Sequence, residues 1–233
     1  MATSRSRAPA TRELDDLYAE LRSCRRCPRL AAWREEVGRK KRRAYQDETY
    51  WARPVPGFGD PRARLLIFGL APGAHGSNRT GRMFTGDASG RFLYPALWRA
   101  GLASQPHSEH RGDGLELHGV YITAAVRCVP PGNKPTRAEF AACSVWTERE
   151  LALLPELRVY LALGRLAHDA LLEHHGLVKA RFPFAHGAEH TLPDGRVLLD
   201  SYHVSRQNTQ TGRLTAAMFD EVLTRAKALA GLN

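Results

Sequence analysis

Four short stretches of the chain are almost wholly apolar: RLLIFGL (64–70), GVYITAAV (119–126), VYLALG (159–164) and RVLLDSYH (196–203). Continuous apolar runs of this length suit strands buried on both faces. Around them, apolar positions recur at the three- and four-residue intervals of a helix. Residues 12–23 place Leu14, Leu17 and Leu21 on one face, and further helices are expected over 89–101, 136–153 and 165–174. A last helix over 213–230 carries Leu214, Met218, Val222, Ala226 and Leu229 down one side. Segments 103–118 and 176–195 follow neither period and read as surface loops. Strands alternating with helices predict an α/β fold with a parallel sheet covered on both faces. There are no internal repeats. A chain of 233 residues fits one domain, expected over 12–233, with 1–11 set apart as a flexible extension.

The expected order of elements already places a site. In open parallel sheets, ligands bind beyond the carboxyl ends of the strands. Three polar segments fall there: APGAHGSNRTGRMFTGDASG after the first strand, RCVPPGNKPT after the second, and HVSRQNTQTGR at the end of the fourth. All three are expected on one rim.

Composition narrows the partner. Lys plus Arg number 34 against 24 Asp plus Glu, a formal net charge of +10. Such an excess favours a polyanionic partner, because neutralised phosphates release counterions. Five consecutive basic residues, Arg39 to Arg43, form either a solvated face or a phosphate contact. No stretch approaches the roughly 20 apolar residues of a membrane span. The first residues, MATSRSRAPA, lack the apolar core of a secretory signal, so a cytoplasmic protein with reduced thiols is expected.

The first polar segment is rich in glycine but matches neither the dinucleotide nor the P-loop pattern. It carries His75, Asn78, Arg82, Phe84 and Asp87. An aromatic ring beside a carboxylate and amides suits a planar, polar base, stacked on its face and hydrogen-bonded at its edge. In the second segment, three prolines and a glycine stiffen the turn that presents Asn133. In the third, His203 ends a strand, where an imidazole can donate to a developing anion. Arg79, Arg82, Arg206 and Arg213 are candidates to grip phosphates.

All four cysteines, Cys24, Cys27, Cys128 and Cys143, fit one metal site. Cys24 and Cys27 have C-x-x-C spacing, but the second pair is too widely spaced for a zinc ribbon. Spacing leaves zinc, an iron–sulfur cluster and four unconnected buried thiols open, and a thioredoxin-like redox pair is the weaker option because it leaves Cys128 and Cys143 unexplained.

GLAPGAHGSNRTGRMFTGDASGRFL and HVSRQNTQTGRLT closely resemble the two signature motifs of the type B, or family 5, uracil-DNA glycosylases, and PPGNKPT resembles their middle motif. The similarity runs from about Cys24 to the C-terminal helix. It implies a three-layer α/β/α sandwich around a central four-stranded parallel sheet. It implies a monofunctional enzyme that flips uracil, and other deaminated bases such as hypoxanthine or xanthine, out of DNA and hydrolyses the N-glycosidic bond. The cysteines would be ligands of a structural [4Fe–4S] cluster. Gly73, Ala74, His75, Phe84, Asn133 and His203 would bind the base. Of these, Phe84 would stack on it, Asn133 read its edge and His203 stabilise its negative charge. Asp87 would position water or steady the sugar cation. Ser205, Arg206, Gln207, Asn208 and Arg213 would contact DNA, with Gln207 or Asn208 as the wedge. Other uracil-DNA glycosylases carry a polar catalytic residue just after the first strand; here Leu70 and Ala71 stand there, which moves weight onto Asp87. A monomer acting on double-stranded DNA, and on single strands too, is the expected form. A non-enzymatic iron–sulfur or zinc DNA-binding protein also explains the charge and the cysteines, and an enzyme of free nucleosides is a third reading.

Overall fold

The computed structural model describes residues 9–232. Of the segment set apart as flexible, residues 1–8 lie outside the described residues, while Pro9–Thr11 already belong to the first helix. In chain order the elements are α1 (Pro9–Arg22), α2 (Pro28–Lys40), β1 (Phe58–Gly59), β2 (Leu65–Gly69), α3 (Ser77–Thr80), α4 (Ala88–Arg99) and β3 (Val120–Ala124). Then come α5 (Arg137–Ala152), β4 (Val159–Leu163), α6 (Arg165–His174), β5 (Glu189–Thr191), β6 (Val197–Ser201), α7 (Arg206–Gln210) and α8 (Ala216–Ala230).

The apolar runs are β2, β3, β4 and β6, paired parallel in the order β3-β2-β4-β6. Alternate residues of each strand feed opposite cores, which is why the runs are continuous in apolar residues. Leu65, Ile67, Val120, Ile122, Val159, Leu161 and Leu199 pack with residues of α4 and α8 on one face. Leu66, Phe68, Tyr121, Tyr160 and Leu198 pack with α1, α5 and α6 on the other. Helix starts are fixed locally. Thr136 and Glu139 form a reciprocal capping box at α5, and the Thr215 side chain accepts from the Met218 N–H at α8.

Three features differ from the sequence expectation. The sheet has six strands, because β1 and β5 add short antiparallel edges beside β3 and β6. Two or three residues are too few to show a period of their own; pairing with a neighbour defines them. Segment 176–195 therefore holds a strand, and 103–118 is tied by one bridge between Ala103 and Leu117. The third is α2, which opens with Pro28 in its first turn and whose last turn contains Arg39 and Lys40 of the basic run. Among the described residues no helix is long and apolar enough to cross a membrane.

On the α1 side, Arg127 and Glu150 form a fully buried ion pair, 2.5 Å between Nη2 and Oε2. The Tyr18 hydroxyl donates to Glu150 and also bonds the Tyr121 hydroxyl. This pair lies one residue before Cys128 and so braces the start of the loop that follows β3.

Candidate active site and cysteine cavity

Past the C-terminal end of β2, the chain turns through α3 and returns to the N-terminus of α4. Asp87 caps α4: its Oδ1 accepts from the Gly90 N–H at 3.0 Å. Its Oδ2 faces the glycines, since a Cβ on Gly76 or Gly73 would lie 1.9 or 3.0 Å from it. Burial raises the Asp87 pKa, opposed by the N–H groups of Gly90 and Ser89.

Phe84 occupies the left-handed backbone region, with φ of 51°, as does Asn133, with φ of 57°. Phe84 does not adopt that region cheaply, so local hydrogen bonds and packing must hold it there, whereas asparagine in a turn tolerates it. The Phe84 N–H donates to the Ser77 Oγ at 3.0 Å, and the Tyr94 hydroxyl donates to the Met83 carbonyl at 2.8 Å. Gly90 and Gly69 provide the room: a Cβ on Gly90 would meet the Phe84 carbonyl oxygen at 1.8 Å, and one on Gly69 the ring at 2.9 Å.

A cavity of about 150 Å³ results, lined by Ala71, Gly73, Ser77, Met83, Phe84, Asp87, Ser89, Ala124 and Asn133. That is about half the lower limit of roughly 300 Å³ for pockets taking drug-sized ligands, a size for one small planar ring. Residues from the loops after β2 and β3 thus meet. The loop after β6 joins them from the side: the His203 ring centroid is 6.3 Å from that of Phe84. Burial pushes the His203 pKa down to about 4, so its imidazole is neutral at pH 7.

The other expected site residues divide. Gly73 lines the cavity; half-buried Ala74 and His75 do not. His75 Nδ1 instead pairs with the Tyr50 hydroxyl at 3.0 Å. Arg206, Gln207 and Arg213 are exposed on the rim. Ser205 caps α7, and the Asn208 amide donates to the His203 carbonyl at 2.8 Å, which ties Asn208 to its own turn. Arg79 and Arg82 differ from the expectation of phosphate-gripping groups. Arg79 is buried, donating to the His75 and Gly86 carbonyls and paired with Glu48. Arg82 is buried against Asp113, Ser108 and Thr85. Both guanidinium groups build the loop from within. Ser77, Met83, Ser89 and Tyr50 were not singled out from the sequence; the first three had only membership of the glycine-rich segment as a signal, and Tyr50, brought in by tertiary contact with His75, had none.

Cys24, Cys27, Cys128 and Cys143 line one cavity with Leu21, Leu30 and Trp146. The Arg34 Nη1 donates to Cys128 Sγ at 2.9 Å, and the Arg127 N–H to Cys143 Sγ at 3.3 Å. Arg34 Nε has no hydrogen-bond partner although buried. Burial pushes the free thiols up, to about 11 at Cys128 and about 12 at Cys143. Among the described residues no three His, Cys, Asp or Glu side chains converge on a single-ion site. The four thiols thus border one small cavity, with N–H donors aimed at two of the sulfurs.

The chain belongs to the uracil DNA glycosylase superfamily, whose family model matches residues 56–227. Within it, the similarity is to type-5 proteins. The type-5 uracil-DNA glycosylase of Thermus thermophilus is 70% identical over 213 residues, 91% of this chain and 96% of its own. That of Mycobacterium leprae is 53% identical over 94% of this chain and 96% of its own. A type-4 uracil-DNA glycosylase of Pyrobaculum aerophilum is 32% identical over 69% of this chain and 65% of its own.

Proposed function

We propose that this protein is a monofunctional uracil-DNA glycosylase that also releases hypoxanthine and xanthine and so starts base excision repair. The observation that carries the reading is the meeting of Phe84, Asp87 and Asn133 around one ring-sized cavity at the carboxyl rim of the sheet. A base reaches such a cavity only when swung out of the duplex, at a cost of a few kcal/mol. Phe84 stacks on its face, and the Asn133 amide reads its edge. Bond cleavage leaves a cation-like sugar and an anionic base. His203, neutral and beside Phe84, donates to that anion, a contribution of about 3–4 kcal/mol for one well-placed donor. Asp87 Oδ2 stabilises the sugar cation and orients water. Arg206 and Arg213 hold phosphates, and exposed Gln207 is the wedge. The small walls at Ala71, Gly73 and Ala124 support the wider base range.

Cys24, Cys27, Cys128 and Cys143 would hold a [4Fe–4S] cluster. Bound there, the cluster would supply a covalent tie between the α1–α2 junction, the loop after β3 and α5. The working form is a monomer acting on double- and single-stranded DNA.

The test is incubation of purified protein with duplexes carrying one labelled uracil, hypoxanthine or xanthine. Alkali-labile scission at the modified base and not at a cytosine control is expected. Intact strands from folded protein that binds DNA would leave a non-enzymatic DNA-binding protein as the better reading.

A further inference from the structure

Trp51 lies against the end of α3 away from the base cavity's lining residue Ser77. Its N–H donates to the Arg79 carbonyl at 2.8 Å, and the next N–H, of Ala52, to the Asn78 carbonyl at 3.0 Å. The indole Nε1 donates to the Pro54 carbonyl at 3.0 Å. A Cβ on Gly81, which ends α3, would come within 2.7 Å of the ring. The indole is therefore fixed in place, and it is only half-buried.

Three arginines from separate parts of the chain surround it. The guanidinium carbons of Arg22, Arg53 and Arg111 lie 5.9, 5.9 and 4.3 Å from a Trp51 ring centroid. All three are exposed. Among the described residues none of them forms an ion pair, whereas nearby Arg79 and Arg82 each have a carboxylate. Burial, and then the charge of Arg22, lowers the Arg111 pKa. Attraction to the indole face is worth about 0.5–1 kcal/mol at an exposed site, enough to orient a guanidinium but not to neutralise three. Like charges gathered on one platform, with no ion-paired carboxylate among the described residues, are complementary to an anion.

We propose that Arg22, Arg53 and Arg111, organised by Trp51, form a phosphate clamp that grips the DNA strand outside the base cavity. The occupant is DNA by position, which rests on the glycosylase reading above. Ser77 at one end of α3 lines the cavity, and Gly81 at the other end packs on Trp51. Four helical residues span only about 6 Å, so a strand leaving the cavity reaches the clamp within a few phosphates. The clamp touches no base, so it adds affinity to every sequence alike.

The experiment compares the full-length protein with its Arg22→Gln/Arg53→Gln/Arg111→Gln variant. Fluorescence anisotropy would measure binding to a duplex with a stable abasic-site analogue, and to undamaged duplex, between 50 and 200 mM salt. Each lost phosphate contact lowers the slope of log K against log salt by about 0.9, so a drop of about 1 to 3 is expected on both duplexes. Single-turnover base release at saturating enzyme should stay within about twofold of the parent. An unchanged slope and affinity would overturn the clamp, leaving Trp51 and its arginines as surface packing. If the triple variant melts early, Arg53→Glu takes its place; a slope equal to the parent's then overturns the proposal equally. A changed slope in a protein that releases no base would keep the clamp and remove the glycosylase reading.

Discussion

Gly90 sits inside α4, where alanine ordinarily stabilises a helix by about 0.5–1 kcal/mol over glycine. Here the sign reverses. A Cβ at this position lies 1.8 Å from the Phe84 carbonyl oxygen and 2.9 Å from its carbonyl carbon, and real Cβ contacts under 3.0 Å essentially do not occur. The Phe84 peptide must therefore withdraw by about 1.2 Å. Phe84 is already in the left-handed region, held by the Ser77 hydroxyl, so the shift is passed to its ring. A displacement of about 1 Å at a positioning group costs on the order of 100-fold in rate. Overpacking of this kind costs about 1–3 kcal/mol of stability. Gly69→Ala is the graded companion. Its Cβ meets only the tip of the Phe84 ring, at 2.9 Å, which a ring tilt relieves, so a loss of about tenfold is expected. Single-turnover release of uracil, with thermal unfolding followed in parallel, ranks the two. Gly90→Ala within about threefold of the parent, or less damaging than Gly69→Ala, would refute the placement of Phe84 against the base.

Asp87→Asn keeps a good helix cap while removing a charge that burial disfavours. The folded pKa is raised, so the carboxylate form costs stability as pH rises through it, and the asparagine variant should melt at least as high as the parent at pH 7. Base release should fall by about 10²–10⁴-fold; a lower melting temperature or an unchanged rate contradicts this role. His203→Ala should lose base release and keep DNA binding, which anisotropy would register. Because the folded pKa of His203, about 4, lies below its unfolded value of about 6.5, the unfolded chain binds the extra proton between them. The stability contribution of His203 is thus complete above pH 6.5 and lost as pH falls toward 4, and denaturant melts of parent and His203→Ala should converge at the acid end. Serine at Cys128 or Cys143 should abolish visible absorbance and iron and sulfide content together and lower the melting temperature; full iron content in either variant would exclude that cysteine as a ligand. Arg127→Ala should cost about 3–5 kcal/mol in urea unfolding by stranding Glu150, while Arg127→Met with Glu150→Leu should recover most of the loss.

The sequence by itself determined the elements that bury their own apolar residues. Leu14, Leu17 and Leu21 mark α1, and the four apolar runs mark β2, β3, β4 and β6, because period and burial are written into neighbouring positions. It also placed the three polar segments on one rim, since connection order in a parallel sheet fixes which loops share an end. Only tertiary structure decided what each polar residue does there. Arg79 and Arg206 look alike in sequence, yet one is buried on Glu48 and two carbonyls and the other is exposed on the rim. Edges β1 and β5 exist through their partners alone. Phe84 carries no sequence mark of its left-handed backbone, which Ser77 and Gly90 impose, whereas Asn133 stands in a Pro-Pro-Gly-Asn turn that suits one. Trp51 gathers arginines from positions 22, 53 and 111. A charge takes its meaning from whichever groups surround it, and those groups come from distant parts of the chain.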